Sequence, residues 1–246
     1  MCKIFLMQSR YPQKPGIDFI LKQAFFYWNK TLLYQLIFSI FYFGIFLTVF
    51  FFFDLKYGIS GQYAEALKYA KDGVEAYSAQ LAKMQADQGF QYFLWGLMGT
   101  SIFLYPLNIG FFQIYRKIDN NEKLELGDLL VGYNGFNFFK YIGYYIFWLF
   151  VAIYTSQTII LYILWVFVTI FVAPLMFFEN KRIFEAVSLN VQSLRKYFLE
   201  IMVCVIVALF FKYMGFMLFF VGGLFTFPFW NAMIYSLYKT AFSEKS

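Results

Sequence analysis

Apolar residues in this chain fall in long uninterrupted blocks rather than in an alternating or 3.6-residue rhythm. The block over 32–53 contains IFSIFYFGIFLTVFFFF and no charge, enough to exceed the roughly 20 apolar residues that cross a bilayer as a helix. A second block covers 92–115. The stretch 138–178 is too long for one helix and breaks at the polar Thr155, Ser156 and Gln157. The stretch 199–238 is also double length, with Lys212 and Tyr213 near its centre. A lysine at mid-bilayer costs several kcal/mol, whereas one at a turn reaches the interface. The pattern predicts an all-α polytopic membrane protein with six spans, at about 32–53, 92–115, 138–154, 158–178, 199–211 and 214–238.

The segments before the odd-numbered spans are of a different kind. VGYNGFNFFKY aligns without gaps on VSLNVQSLRKY, pairing Val131 with Val187, Asn134 with Asn190, Lys140 with Lys196 and Tyr141 with Tyr197. The N-terminal FILKQAFFYWNKTLL has a similar lysine at Lys30. In the third segment Ile183, Phe184, Val187, Val191, Leu194 and Phe198 gather on one side of a helix, the pattern of a membrane-surface helix or of one packed on the bundle. Interfacial helices are therefore expected over about 17–30, 126–137 and 182–197. Each even-numbered span also holds one proline, Pro106, Pro174 or Pro228. Proline removes a helical hydrogen bond, which lipid tolerates only where neighbours satisfy the freed carbonyl. The expected unit is an interfacial helix and a hairpin with a kinked returning leg, repeated three times. Asn108 and Asn231 lie beside two of the kinks and would line any cavity there.

One segment departs from this plan. Residues 60–88 are polar, helix-favouring and rich in Ala, Glu, Lys and Gln. Tyr63, Leu67, Ala70, Val74, Tyr77, Leu81 and Met84 alternate spacings of four and three, a heptad seam. The spacing predicts a helical arm over 60–88, with Ser60 as its N-cap and Gly73 as a weak point.

Composition sharpens the picture: 61% of the residues are apolar and 14% charged, where soluble domains have about half and a quarter. Fifteen of the twenty Lys and Arg fall in the N-terminal segment, the 116–140 and 179–198 loops and the C-terminal tail. Basic flanks prefer the cytoplasm, so both termini are expected inside and the arm in the periplasm of a bacterial inner-membrane protein. In that setting the net charge of +6 reads as topogenic, and no nucleic-acid partner is expected. The start of the chain, MCKIFLMQSRYPQKPG, has no cleavable-signal pattern.

Candidate chemistry is sparse. The absence of His removes the commonest general base, metal ligand and pH switch. Cys2 and Cys204 are far apart and offer neither a disulfide framework nor a zinc site. Asp119, Glu122, Glu125 and Asp128 are irregularly spaced around Lys123 and read as a solvated loop rather than a cation site. Glu200, one turn beyond Lys196, reads as an interfacial ion-pair partner. No catalytic residue, metal or cofactor is expected.

The run APLMFFENKRIFEAVSLNVQSLRKYF places a proline near a span end, an Asn before a basic pair, and then an amphipathic helix. It resembles the membrane-anchor domain of some bacterial glycerophosphodiester phosphodiesterases, a family that also has free-standing membrane members. The resemblance covers spans two to six, implies the fold, and brings neither catalytic residues nor the phosphodiesterase domain. The function expected is that of a non-enzymatic accessory or scaffold protein in the bilayer. It would bind another membrane or envelope protein, or itself, through the arm. The alternative is a transporter or lipid-handling protein with a site between the kinked helices.

Overall fold

The computed structural model describes residues 16–218 and 220–242, and every regular element in them is helical. Cys2, Lys3, Arg10, Lys14 and Lys245 lie outside the described residues. Five helices or helix pairs are long and apolar enough to cross a membrane, within Leu32–Tyr57, Gln88–Asp119, Phe136–Thr155, Ile159–Phe178 and Ile183–Met217. The architecture is that of a polytopic membrane protein.

Helix α1 (Ile17–Lys30) leads through Thr31 into α2 (Leu32–Tyr57), which at ~1.5 Å per residue is about 39 Å long. α2 ends where Gly58 adopts a left-handed conformation (φ 63°) and returns its N–H to the Asp54 carbonyl at 2.8 Å, a glycine C-terminal stop. The arm follows as α3 (Ile59–Tyr69) and α4 (Val74–Ala86). Asp87 then caps α5 (Gln88–Leu104) by accepting the Phe90 N–H at 2.9 Å. α5 continues across a break at Tyr105 into α6 (Pro106–Asp119).

A 3₁₀ segment, Leu126–Tyr133, precedes α7 (Phe136–Thr155), and α8 (Ile159–Thr169) returns through a break into α9 (Val172–Phe178). α10 (Ile183–Leu218) bends at Tyr197, whose backbone leaves the helical region. α11 (Phe220–Thr226) and α12 (Phe229–Phe242) complete the chain.

Three local expectations change. The segment 126–137 is not an amphipathic α-helix. Glu125 and Asp128 cap each other's backbone, and the tight turn lays the chain flat on α6, where a Cβ on Gly110 would lie 2.4 Å from Leu129 and one on Gly132 2.3 Å from the Pro106 carbonyl. Lys212 and Tyr213 do not form a turn, because α10 runs on to Leu218. Ser60 is not the arm's N-cap; Gly58 is, and the Ser60 N–H is held by the Asp54 carboxylate at 2.6 Å.

Burial is uneven along the bundle. α12 buries ten of its fourteen residues and α6 eight of its fourteen, whereas α2 buries only Gln35, Phe38 and Ser39. α6, α9 and α12 thus form an inner core, with Phe112 against Phe178, Phe178 against Tyr235 and Tyr115 against Tyr235. A second, smaller cluster of Ile59, Met84, Phe90 and Phe93 sits at the far end, beneath the arm.

Candidate functional site

Each proline stands at or just beyond a break in its helix, and a different side chain closes each break. Pro106 lacks an N–H, and its ring excludes the preceding turn; the Phe103 carbonyl, three residues before it, accepts the Tyr133 hydroxyl at 2.7 Å. Burial pushes the Tyr133 phenol up to about 12, so it stays a donor. The Phe225 carbonyl, three residues before Pro228, accepts the Trp28 indole N–H at 2.8 Å. Between α8 and α9 the Asn190 amide enters the helical ladder itself. Its Nδ2 donates to the Phe167 carbonyl at 2.9 Å, and its Oδ1 accepts the Phe171 N–H at 3.0 Å, replacing the bond those two groups would make together.

The three closures form a ring in sequence order. The α5–α6 break is closed from the 3₁₀ segment before α7, and the α8–α9 break from the first half of α10. The break before α12 is closed from α1. Of the aligned asparagines only Asn190 takes part; Asn134 lies exposed at the end of its 3₁₀ turn.

Pro106, Pro174 and Pro228 are all buried. Asn231 donates to Asn108 at 3.1 Å, and Asn108 donates to the Tyr105 carbonyl at 3.2 Å. The asparagines therefore tie α6 to α12; Pro174 stands outside this network, on α9.

Below them, Asp119 accepts the Tyr27 and Tyr235 hydroxyls, each at 2.5 Å, and the Lys239 ammonium at 2.8 Å. Lys239 also donates to the Tyr27 oxygen at 3.0 Å. Burial, reinforced by the Asp119 carboxylate, holds the Tyr27 phenol protonated far above its ordinary range. Asp128 pairs with Lys117 at 2.7 Å and accepts the Glu125 N–H. Two of the four acidic residues of the 119–128 stretch are thus paired, Asp128 buried and Asp119 at the exposed edge of the bundle. Among the described residues no group of His, Cys, Asp and Glu is arranged to hold a metal.

The arm is two helices, not one. Gly73 sits at φ 114°, ψ 168°, which L side chains avoid, and the chain reverses there so that α4 returns along α3. This divides the heptad seam. Met84 is buried and Leu81 half-buried in the far-end cluster, and Tyr77 is half-buried. Ala70 is exposed, Leu67 is 60% exposed and Val74 84%, while Tyr63 packs one edge on Phe90. A shallow groove lined by Gly61, Glu65, Lys68, Tyr69 and Asp72 runs along α3.

Sequence spacing marked the prolines, the asparagines and the arm, but not Tyr27, Asp119, Tyr235 and Lys239. Three tyrosines or acids among so many carry no spacing signal. No family model, curated protein or solved structure matches the chain.

Proposed function

We propose that the protein is a non-enzymatic accessory or scaffold protein of the bacterial inner membrane, docking the extramembrane part of another membrane or envelope protein on its arm. The reading takes α11 and α12 as a sixth span and treats the chain as three interfacial-segment-plus-hairpin units. Both termini and the basic loops lie in the cytoplasm. Its support is the recurrence of a closed break in each returning leg, with basic residues gathered at the bundle end opposite the arm.

The observation that carries the docking role is the exposure of Leu67 and Val74. Large apolar side chains on a polar, water-facing element gain about 25 cal/mol per Å² when covered, and α4 has turned inward without covering them. Packing of Phe112, Tyr115, Phe178 and Tyr235 through the cytoplasmic half favours a scaffold over a transporter, because it leaves a solid plug where a path would run.

A photo-crosslinking residue at Val74 in native membranes tests this. One discrete crosslinked product, lost on Leu67→Asp while the protein stays folded in the membrane, is the expected result. A crosslinking pattern that is diffuse, or indifferent to Leu67→Asp, removes the arm from the contact.

A further inference from the structure

One side of α3 carries charges that its own chain leaves unanswered. Ile59 and Ala66 are the buried residues of this helix. At about 3.6 residues per turn the opposite side holds Gly61, Ala64, Glu65, Lys68, Tyr69 and Asp72, and these six line the shallow groove along α3. All six are exposed. Among the described residues neither Glu65, Lys68 nor Asp72 has an ion-pair partner.

Set antiparallel to itself about a point midway between Glu65 and Lys68, this face is its own complement. Glu65 falls opposite Lys68, and Lys68 opposite Glu65, so the pair is made twice. The Ala64 methyl falls opposite the Tyr69 ring, a small side chain against a large one, on both sides of the axis. Gly61 falls opposite Asp72, which brings that carboxylate to the first turn of the facing helix, where free N–H groups favour negative charge. A parallel pairing would set Glu65 on Glu65 and Lys68 on Lys68, and like charges across a contact are unfavourable. Two copies in one membrane share sidedness, so a two-fold axis relating them stands along the membrane normal. Gly58, a single left-handed residue between α2 and α3, turns α3 off the axis of α2. Helices turned off the normal meet their symmetry mates with opposed directions.

We propose that the outer face of α3 is a contact with a second copy of this chain, made by antiparallel pairing of the two α3 helices. An interface this short is at the small end of specific ones, so it forms between copies confined to one membrane rather than in dilute detergent. Leu67 and Val74 lie outside the groove, and the pairing stands whether or not they dock another protein.

The test uses full-length chains lacking Cys2 and Cys204, co-expressed in one membrane as a Gly61→Cys copy and an Asp72→Cys copy with different tags, and treated with a short bis-maleimide. Gly61 has open space where a side chain would start, and Asp72 is exposed, so both substitutions leave the packing intact. The mixed pair is expected to link several-fold more than either self-pair. Antiparallel helices set the two positions face to face, while each position stands about 16 Å along the axis from its own copy. Glu65→Lys or Lys68→Glu, carried by both copies, reduces the mixed link several-fold by setting like charges opposite each other, and the two changes together restore it. Self-linking as strong as mixed linking overturns the antiparallel register. An undiminished link in Glu65→Lys, or no recovery when the charges are exchanged, removes the complementarity and the proposal with it. A link to a different chain in place of the second copy also overturns it. The crosslink from Val74 is read separately, so the docking reading and this one fail independently.

Discussion

Asn190 and Phe171 are joined by a buried hydrogen bond of 3.0 Å, the Phe171 N–H donating to Oδ1 at the point where the backbone ceases to be helical. The same amide also serves the Phe167 carbonyl. Asn190→Leu strands both backbone groups in an apolar surrounding. Polar contacts between membrane helices contribute about 1–2 kcal/mol, so a lower melting temperature in detergent is expected. Asn134→Leu, at the aligned but exposed position, leaves it within experimental scatter.

Close approach of backbone to backbone makes a second prediction. Gly110→Ala drives a methyl into the Leu129 main chain, where neither side has a flexible atom to move. Overpacking of this kind costs about 1–3 kcal/mol, and the melting temperature should fall. Gly143→Ala, with open space around it on α7, is neutral or stabilising by up to about 1 kcal/mol through helix propensity alone.

Asp119 gathers α1, α6 and α12 through three donors. Asp119→Asn removes the charge facing Lys239 and one acceptor geometry, at a cost of roughly 1–2 kcal/mol given that the pair is 30% and 27% exposed. The loss is expected to localise, with hydrogen exchange rising in 17–30 before it rises elsewhere. Uniform exchange through the whole bundle would show that α1 is held by other means.

Gly73 makes the reversal of the arm. Gly73→Val forces a branched side chain into a conformation costing about 1–3 kcal/mol. Faster proteolysis between 69 and 75 is expected, with the melting of the bundle unchanged, since α3 and α4 meet the bundle at its far end, through the Ile59, Met84, Phe90 and Phe93 cluster and the Ser60 and Gln62 hydrogen bonds beside it.

The proposed sidedness is open to a direct check. In a background lacking the two native cysteines, Ser78→Cys on the arm should react with an impermeant maleimide in intact cells, and Asn120→Cys only after lysis. Labelling of both from outside would refute the proposed orientation.

What the chain shows without its fold follows physical lines. Apolar blocks mark the long helices because lipid exposure demands continuous apolarity, and prolines mark the breaks because a missing N–H acts locally. The groups that answer those breaks were not legible: Tyr133, Asn190 and Trp28 lie 30, 23 and 197 residues from their carbonyls and share no residue type. The heptad count ran through Gly73, since spacing registers side chains and not the backbone conformation a glycine permits. The charge of Lys212 argues for a turn. The fold keeps it in a helix, over Phe227, a contact that only the return of α11 creates.

The ring of closures also orders the protein's birth. Tyr133 and Asn190 are synthesised soon after the carbonyls they seal, so the first two breaks close as the chain emerges. Trp28 is made long before Phe225 exists, and α1 must wait with its indole without that partner until the last helices arrive. Until then nothing fastens the two ends of the chain, and a polypeptide arrested before α12 carries an open seam that quality-control proteases can grasp.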